Sequence, residues 1–104
     1  MHVGDEMNIT YSESKNGCAF CAYLGAVLIG RIDFIYVGID RLLIESTSID
    51  DKYDVPTLCF ELVRKVVDFA RSQRRKIICM CPRAKVILNK HPEFDDVRFL
   101  RVAL

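Results

Sequence analysis

The sequence predicts a mixed α/β fold of the α+β kind: an antiparallel run of N-terminal strands leading into one central βαβ unit, with a second, shorter helix behind it. Three observations carry this. Between Asn8 and Ser46, stretches rich in β-branched and aromatic residues alternate with glycine-bearing turns. A sustained helical periodicity then begins at Pro56. A short apolar run, Ile77 to Cys81, follows the helix, and strand, crossover helix and strand imply a parallel pair with a right-handed connection.

Length and charge bound the rest. A chain of 104 residues holds one domain with one core, 1–104, in which 1–7 are expected as a loose leader. A formal net charge of +1 and a pI near 7.6 provide no global field to recruit nucleic acid or an anionic membrane, so neither is expected as a partner. The five cysteines form an odd set, and Met1 to Glu6 lack the basic and apolar regions of a secretory signal. Reduced thiols in the cytoplasm are expected. The longest apolar run, Cys18 to Gly30, falls short of the roughly 20 residues a membrane span requires, so the protein is expected to be soluble.

Taken in order, Asn8 to Tyr11 reads as a short strand, and Ser12 to Gly17 ends in the Asn-Gly turn signal. Cys18 to Leu24 and Ala26 to Val37 are the next two strands, divided at Gly25, and Gly38-Ile39-Asp40 turns the chain into a strand at Arg41 to Ser46. Arg31 and Asp33 share one face while Ile32 and Phe34 take the other, so one face is wet and the other packs on a helix. That helix begins at Pro56, since proline favours the first helical position and holds Val55 before it extended. Leu58, Leu62, Val63, Val66, Phe69 and Ala70 form its apolar stripe. Arg71, Arg74, Arg75 and Lys76 collect at its end, where the macrodipole favours cations. Lys76 to Cys81 is then a strand, Arg83 to Lys90 a two-turn helix, and Val97 to Val102 a last strand.

With these elements placed, several stretches have a family likeness: the hairpin Cys18 to Val37, the strand end Ile44-Glu45-Ser46-Thr47, and Val66-Val67-Asp68-Phe69-Ala70. The most specific is the tail Cys81-Pro82-Arg83-Ala84-Lys85 followed by Leu88-Asn89-Lys90-His91-Pro92-Glu93-Phe94. From about Gly17 onward the chain resembles the compact, YjdJ-like subgroup of the GNAT superfamily of acetyl-CoA-dependent N-acetyltransferases. The resemblance implies a mixed sheet whose fourth and fifth strands splay apart, with acetyl-CoA in the gap, its pyrophosphate on the helix N-terminus, and an amine as acceptor. It places Ile49, Asp54, Val55, Thr57, Leu58 and Cys59 along the cofactor.

The departures from that pattern fall on the pyrophosphate loop. The superfamily's Arg or Gln is replaced by Asp54, and its two small positions by Thr57 and Cys59, while the subgroup's strand-end His is replaced by Ser46. Outward amides at a helix start bind phosphate, and glycines let it approach. Asp54 sets a negative charge there and Pro56 lacks an amide hydrogen, so weak or lost acetyl-CoA binding is expected, with Asp54 the largest cause.

Acetyl transfer requires a base for the amine and an acid for the leaving thiolate. Glu45 is the candidate base, against the plain reading of a solvated acid at a strand end. Cys81 occupies the family's cysteine position as candidate acid or nucleophile, against the plain reading of a small core residue. His91, before Pro92, is assigned to local packing or capping. A zinc site from Cys18, Cys21, Cys79 and Cys81 is set aside because strand alternation points Cys18 and Cys21 to opposite faces. The basic set Arg71, Arg74, Arg75, Lys76, Arg83 and Lys85 is read as a solvated helix end. Two functions stand: an N-acetyltransferase, and a non-catalytic interaction module on the same scaffold.

Overall fold

Alternating apolar residues fold as strands because alternation gathers them on one side of a sheet. In the structure, a computed structural model that describes residues 7–99, four strands run antiparallel: β1 (Met7–Ser14), β2 (Gly17–Leu24), β3 (Val27–Val37) and β4 (Arg41–Ile49). Gly25 and Gly38, at φ +63° and +65°, supply the left-handed backbone for the turns after β2 and β3. Helix α1 (Val55–Ser72) crosses to β5 (Lys76–Cys79), which pairs parallel with β4, so the sheet order is β1-β2-β3-β4-β5. Helix α2 (Pro82–Lys90) and a 3-10 helix (Pro92–Val97) follow. The predicted mixed sheet, parallel pair and one-sided helix packing are all present.

One cluster joins the layers. Leu58, Leu62, Val63, Val66, Val67 and Ala70 of α1 meet Phe20, Ala22, Ile32, Phe34, Leu42 and Ile44 of the sheet, and Ala84, Leu88, Phe94 and Val97 close the same core. Helix and sheet are in tight contact at Gly30, where a Cβ would stand 3.2 Å from Leu58 Cδ2 and 3.3 Å from Leu62 Cδ1. Phe69 closes the far end, stacked on Tyr11 at 5.2 Å and edge-on to Phe34 at 5.5 Å. On the opposite face Arg31 and Asp33 pair at 2.7 Å, as the alternation predicts, with the Ser46 hydroxyl donating to Asp33 at 3.3 Å.

Several boundaries differ from expectation. Strand β1 starts at Met7 and runs to Ser14, because the hairpin keeps pairing down to Ser14 and Gly17. Helix α1 starts at Val55, so that Val55 is helical rather than extended and Pro56 takes the second position; Asp54 caps the helix one residue earlier than the proline rule places the start. Strand β4 continues past Ser46 to Ile49 alongside β3, whereas β5 stops at Cys79 because Cys81 is already the cap residue of α2 and Pro82 its first residue. Of the last strand expected from Val97, the described residues show a single bridge: Val97 ends the 3-10 helix, Arg98 bridges Ile77 and the Phe99 amide donates to Ile77 O at 2.8 Å. Residues 1–6 of the expected leader and 100–102 of that strand lie outside the described residues.

The basic helix end is also not simply solvated. Arg71 holds Asp96 at 2.8 Å and the Glu93 carbonyl at 2.7 Å, and Lys76 donates to the Asp96 carbonyl. Arg75 donates to the carbonyls of Gly38 and Arg41 at 3.2 and 3.1 Å while its guanidinium lies 4.4 Å over the Tyr36 ring. Arg74 is the exception in backbone terms. The Arg75 amide returns to Ala70 O and the Arg74 amide to Arg71 O, a Schellman closure, and this puts Arg74 at φ +56°, a position that favours glycine. Arg74→Gly is therefore expected to raise stability by about 0.5–1 kcal/mol, the relief of left-handed strain less glycine's added chain entropy. A thermal melt showing a lower midpoint would contradict this.

Candidate functional site

The site forms where two neighbouring strands stop being neighbours. Strand β4 pairs with β5 only as far as Ile44, opposite Cys79, after which one last bond joins the Met80 amide to Ile44 O at 3.0 Å. Beyond it β4 stays with β3, and the chain after β5 turns away into α2. At this parting β4 carries a bulge: Asp33 faces Ser46 and Phe34 faces Ile44, so Glu45 has no partner on β3. Glu45 is exposed, and no hydrogen bond or ion pair engages it among the described residues.

Cys81 sits at the head of this gap. As the cap residue of α2 it is extended, at φ −93° and ψ 119°, and its Sγ lies 3.4 Å from Thr47 Oγ1 on β4. Burial opposes ionisation of the thiol, but the Thr47 hydroxyl and the Ala84 and Arg83 amides outweigh it, so the thiol is held below its ordinary value. The neighbouring thiols go the other way. Burial pushes Cys59 up against the pull of the Arg83 guanidinium, and burial pushes Cys79 up, its thiol donating to the Cys81 carbonyl at 3.3 Å. Cys18 belongs to the core, and Cys21, three positions on and so out of phase with it, lies on the other face of β2. The His91 ring lies against Phe60, tilted by 52° with centroids 4.6 Å apart, and its Nδ1 stands 3.4 Å from a Glu93 carboxylate oxygen.

The head of α1 is closed by its own residues. Asp54 Oδ1 accepts from the Thr57 amide at 3.3 Å and Oδ2 from the Thr57 hydroxyl at 2.8 Å. The Leu58 amide is engaged by Asp54 O at 2.9 Å, and Pro56 has no amide hydrogen. Val55 is then the one helical residue of this turn whose amide has no partner among the described residues.

The residues expected along a cofactor do not share one recess. Val55 and Cys59 line a cleft of about 450 Å³ between α1 and α2, together with Pro56, Arg83, Val86, Ile87 and Lys90. Asp54, Thr57 and Leu58 face the other side of the helix head, where an apolar cavity of about 470 Å³ is completed by Met7, Leu24, Ile29 and Tyr53. Ile49 lines a third, smaller hollow with Leu28, Gly30 and Arg31. Sequence reasoning missed Thr47 and Lys90, and it set Arg83 aside as part of a solvated helix end. A signal for the last two exists: Arg83, Val86, Ile87 and Lys90 repeat at three, four and seven residues, which sets them on one face of a helix that Pro82 begins.

A family profile described as GCN5-related N-acetyl-transferase matches residues 9–97. Among solved structures, the solution structure of a GCN5-like candidate N-acetyltransferase from Staphylococcus aureus is similar, with a TM-score of 0.65 and 24% identity over 88% of this chain and 89% of that one. At that identity the likeness is one of fold. No curated protein matches the chain significantly.

Two outcomes follow from the geometry. Asp54→Ala is expected to lower stability by about 1 kcal/mol through loss of the cap, measured by denaturant titration; an unchanged midpoint would mean that the cap contributes nothing. Thr47→Val is expected to move the Cys81 thiol upward, toward the ordinary range, in a thiolate absorbance titration with Cys81→Ala as the reference that lacks this step. A titration that Thr47→Val leaves in place would remove Thr47 from the account.

Proposed function

The chain belongs to the GCN5-related N-acetyltransferase family, and on that premise we propose that it transfers an acetyl group from acetyl-CoA to an amine at the parting of β4 and β5. The observation that carries the reading is geometric: where β4 and β5 part, Cys81 Sγ lies 3.4 Å from Thr47 Oγ1, and the next residue, Pro82, lines a cleft edged by Arg83 and Lys90. The interaction-module alternative rests on the closed head of α1 and explains neither Cys81 nor the cleft.

The residues fit the cofactor in one place and not in another. At the head of α1 the fit fails: the Thr57 amide is taken and Asp54 adds a carboxylate beside it. In the α1–α2 cleft it succeeds. Arg83 and Lys90 are suited to hold phosphate, and Val55, Pro56, Cys59, Val86 and Ile87 are suited to line an extended pantetheine arm. When bound, acetyl-CoA supplies the activated acyl group. Glu45, exposed on the bulge, accepts a proton at its carboxylate from the incoming ammonium, and Cys81 gives the proton at Sγ to the departing sulfur. Thr47 positions Cys81. The bulge itself leaves main-chain groups of β4 unpaired, free to orient a carbonyl.

Calorimetric titration with acetyl-CoA tests this. Binding is expected, and Arg83→Glu should weaken it by about tenfold or more, with a larger effect at low than at moderate salt. Cys81→Ala should keep binding while losing transfer to a panel of primary amines. Absence of binding, or indifference to Arg83→Glu, would sink the proposal.

A further inference from the structure

We propose that the chain self-associates through the edge of β1 that is unpaired among the described residues, two copies pairing β1 against β1 antiparallel to continue the sheet from one molecule into the next. Strand β1 is the margin of the sheet and runs eight residues, Met7–Ser14, without proline, lysine or a bulge, and with Glu13 as its one charge. Soluble proteins ordinarily blunt such an edge with those devices. The opposite margin is protected: β5 has four residues, and Arg98 and Phe99 bond to its outer side at Ile77.

The geometry selects a register. The two-residue turn at Lys15 and Asn16 closes on the pair Ser14 and Gly17, so Ser14, Ser12, Thr10 and Asn8 exchange hydrogen bonds with β2. Met7, Ile9, Tyr11 and Glu13 therefore turn their amides and carbonyls outward. A two-fold axis at Thr10 pairs Ile9 with Tyr11 and Met7 with Glu13, each twice, and every outward group from Met7 to Glu13 finds a partner. Ile9 packs on the core and Tyr11 stacks on Phe69 while remaining 39% exposed, so two Ile9–Tyr11 contacts extend the aromatic cluster across the axis. Moving the axis to Tyr11 sets the Glu13 carboxylate beside Ile9, and moving it to Ile9 leaves Glu13 without a described partner. The edge thus matches itself, as a two-fold interface requires, and a second copy is the occupant. The α1–α2 cleft lies toward the other margin and stays open.

The test uses the full chain. Sedimentation from about 10 to 500 µM should show the mass rising from one chain toward two, the range suited to an interface below standard size. Ile9→Pro removes an outward amide without touching the β1–β2 ladder and should weaken association by about tenfold or more. Because Cys21 of β2 stands opposite position 10 in the same chain, the substitution is made together with Cys21→Ala; Thr10→Cys then faces its own copy in a non-hydrogen-bonded pair about 4.5 Å apart between Cα atoms, within disulfide reach, and should cross-link on mild oxidation. The parent chain, with its five free cysteines, and Ser48→Cys on β4 of the same face are the controls. A monomer throughout, or linking of Ser48→Cys as readily as Thr10→Cys, overturns the proposal. Should Ile9→Pro fail to fold, the Thr10→Cys comparison decides alone.

Discussion

The contact between Asp54 and Thr57 fixes where α1 begins, and most of the molecule takes its place from α1. The carboxylate satisfies the third amide of the helix and the Thr57 hydroxyl together, so the first turn is closed before any tertiary contact forms. At the other end the Schellman closure and Arg75, held by the Gly38 and Arg41 carbonyls, tie the helix to the β3–β4 turn. Between these two anchors the apolar stripe settles on the sheet, with Leu58 and Leu62 tight against Gly30. The helix position in turn sets the α1–α2 cleft and the distance that the chain after β5 must cover.

The same cap redistributes the site's electrostatics. A helix start is attractive to anions because its amides are unpaired and partly positive, and here the chain supplies its own anion. Positive charge is found instead on α2, where Arg83 and Lys90 flank the cleft and Arg83 also lowers the cost of charge on the nearby Cys59 thiol. Cys81 lies at the start of that same helix, so one short element carries both the cations and the depressed thiol. On this reading the departures of the loop from the family pattern and the composition of α2 are two sides of one change.

Much of the fold was legible in the sequence. Alternation at Arg31 to Phe34, the stripe from Leu58 to Ala70 and the glycine turns specify strands, helix and order, because each is a local pattern that burial then reinforces. The site was legible as residue types more than as positions. Asp54 reads as a repulsive charge from sequence alone; its bond to Thr57 depends on where the helix starts, and the proline rule places that one residue late. Thr47 and Cys81 are far apart in the chain, and only the parting of β4 from β5 brings them together. Of the last strand, only its start can be compared: Val97 looks apolar enough to open one, but Pro92 to Val97 coils tightly, and among the described residues the pairing begins at Arg98.

The central claim is that phosphate recognition has passed from the head of α1 to α2. Titrating the isotopically labelled chain with acetyl-CoA and following each backbone amide by NMR tests it directly. The account predicts the largest shifts at Arg83 through Lys90 and at Thr47 and Cys81, with the Thr57 amide still bonded to Asp54 and moving little. The largest shifts at Val55 and Thr57, with the Asp54 cap released, would contradict it.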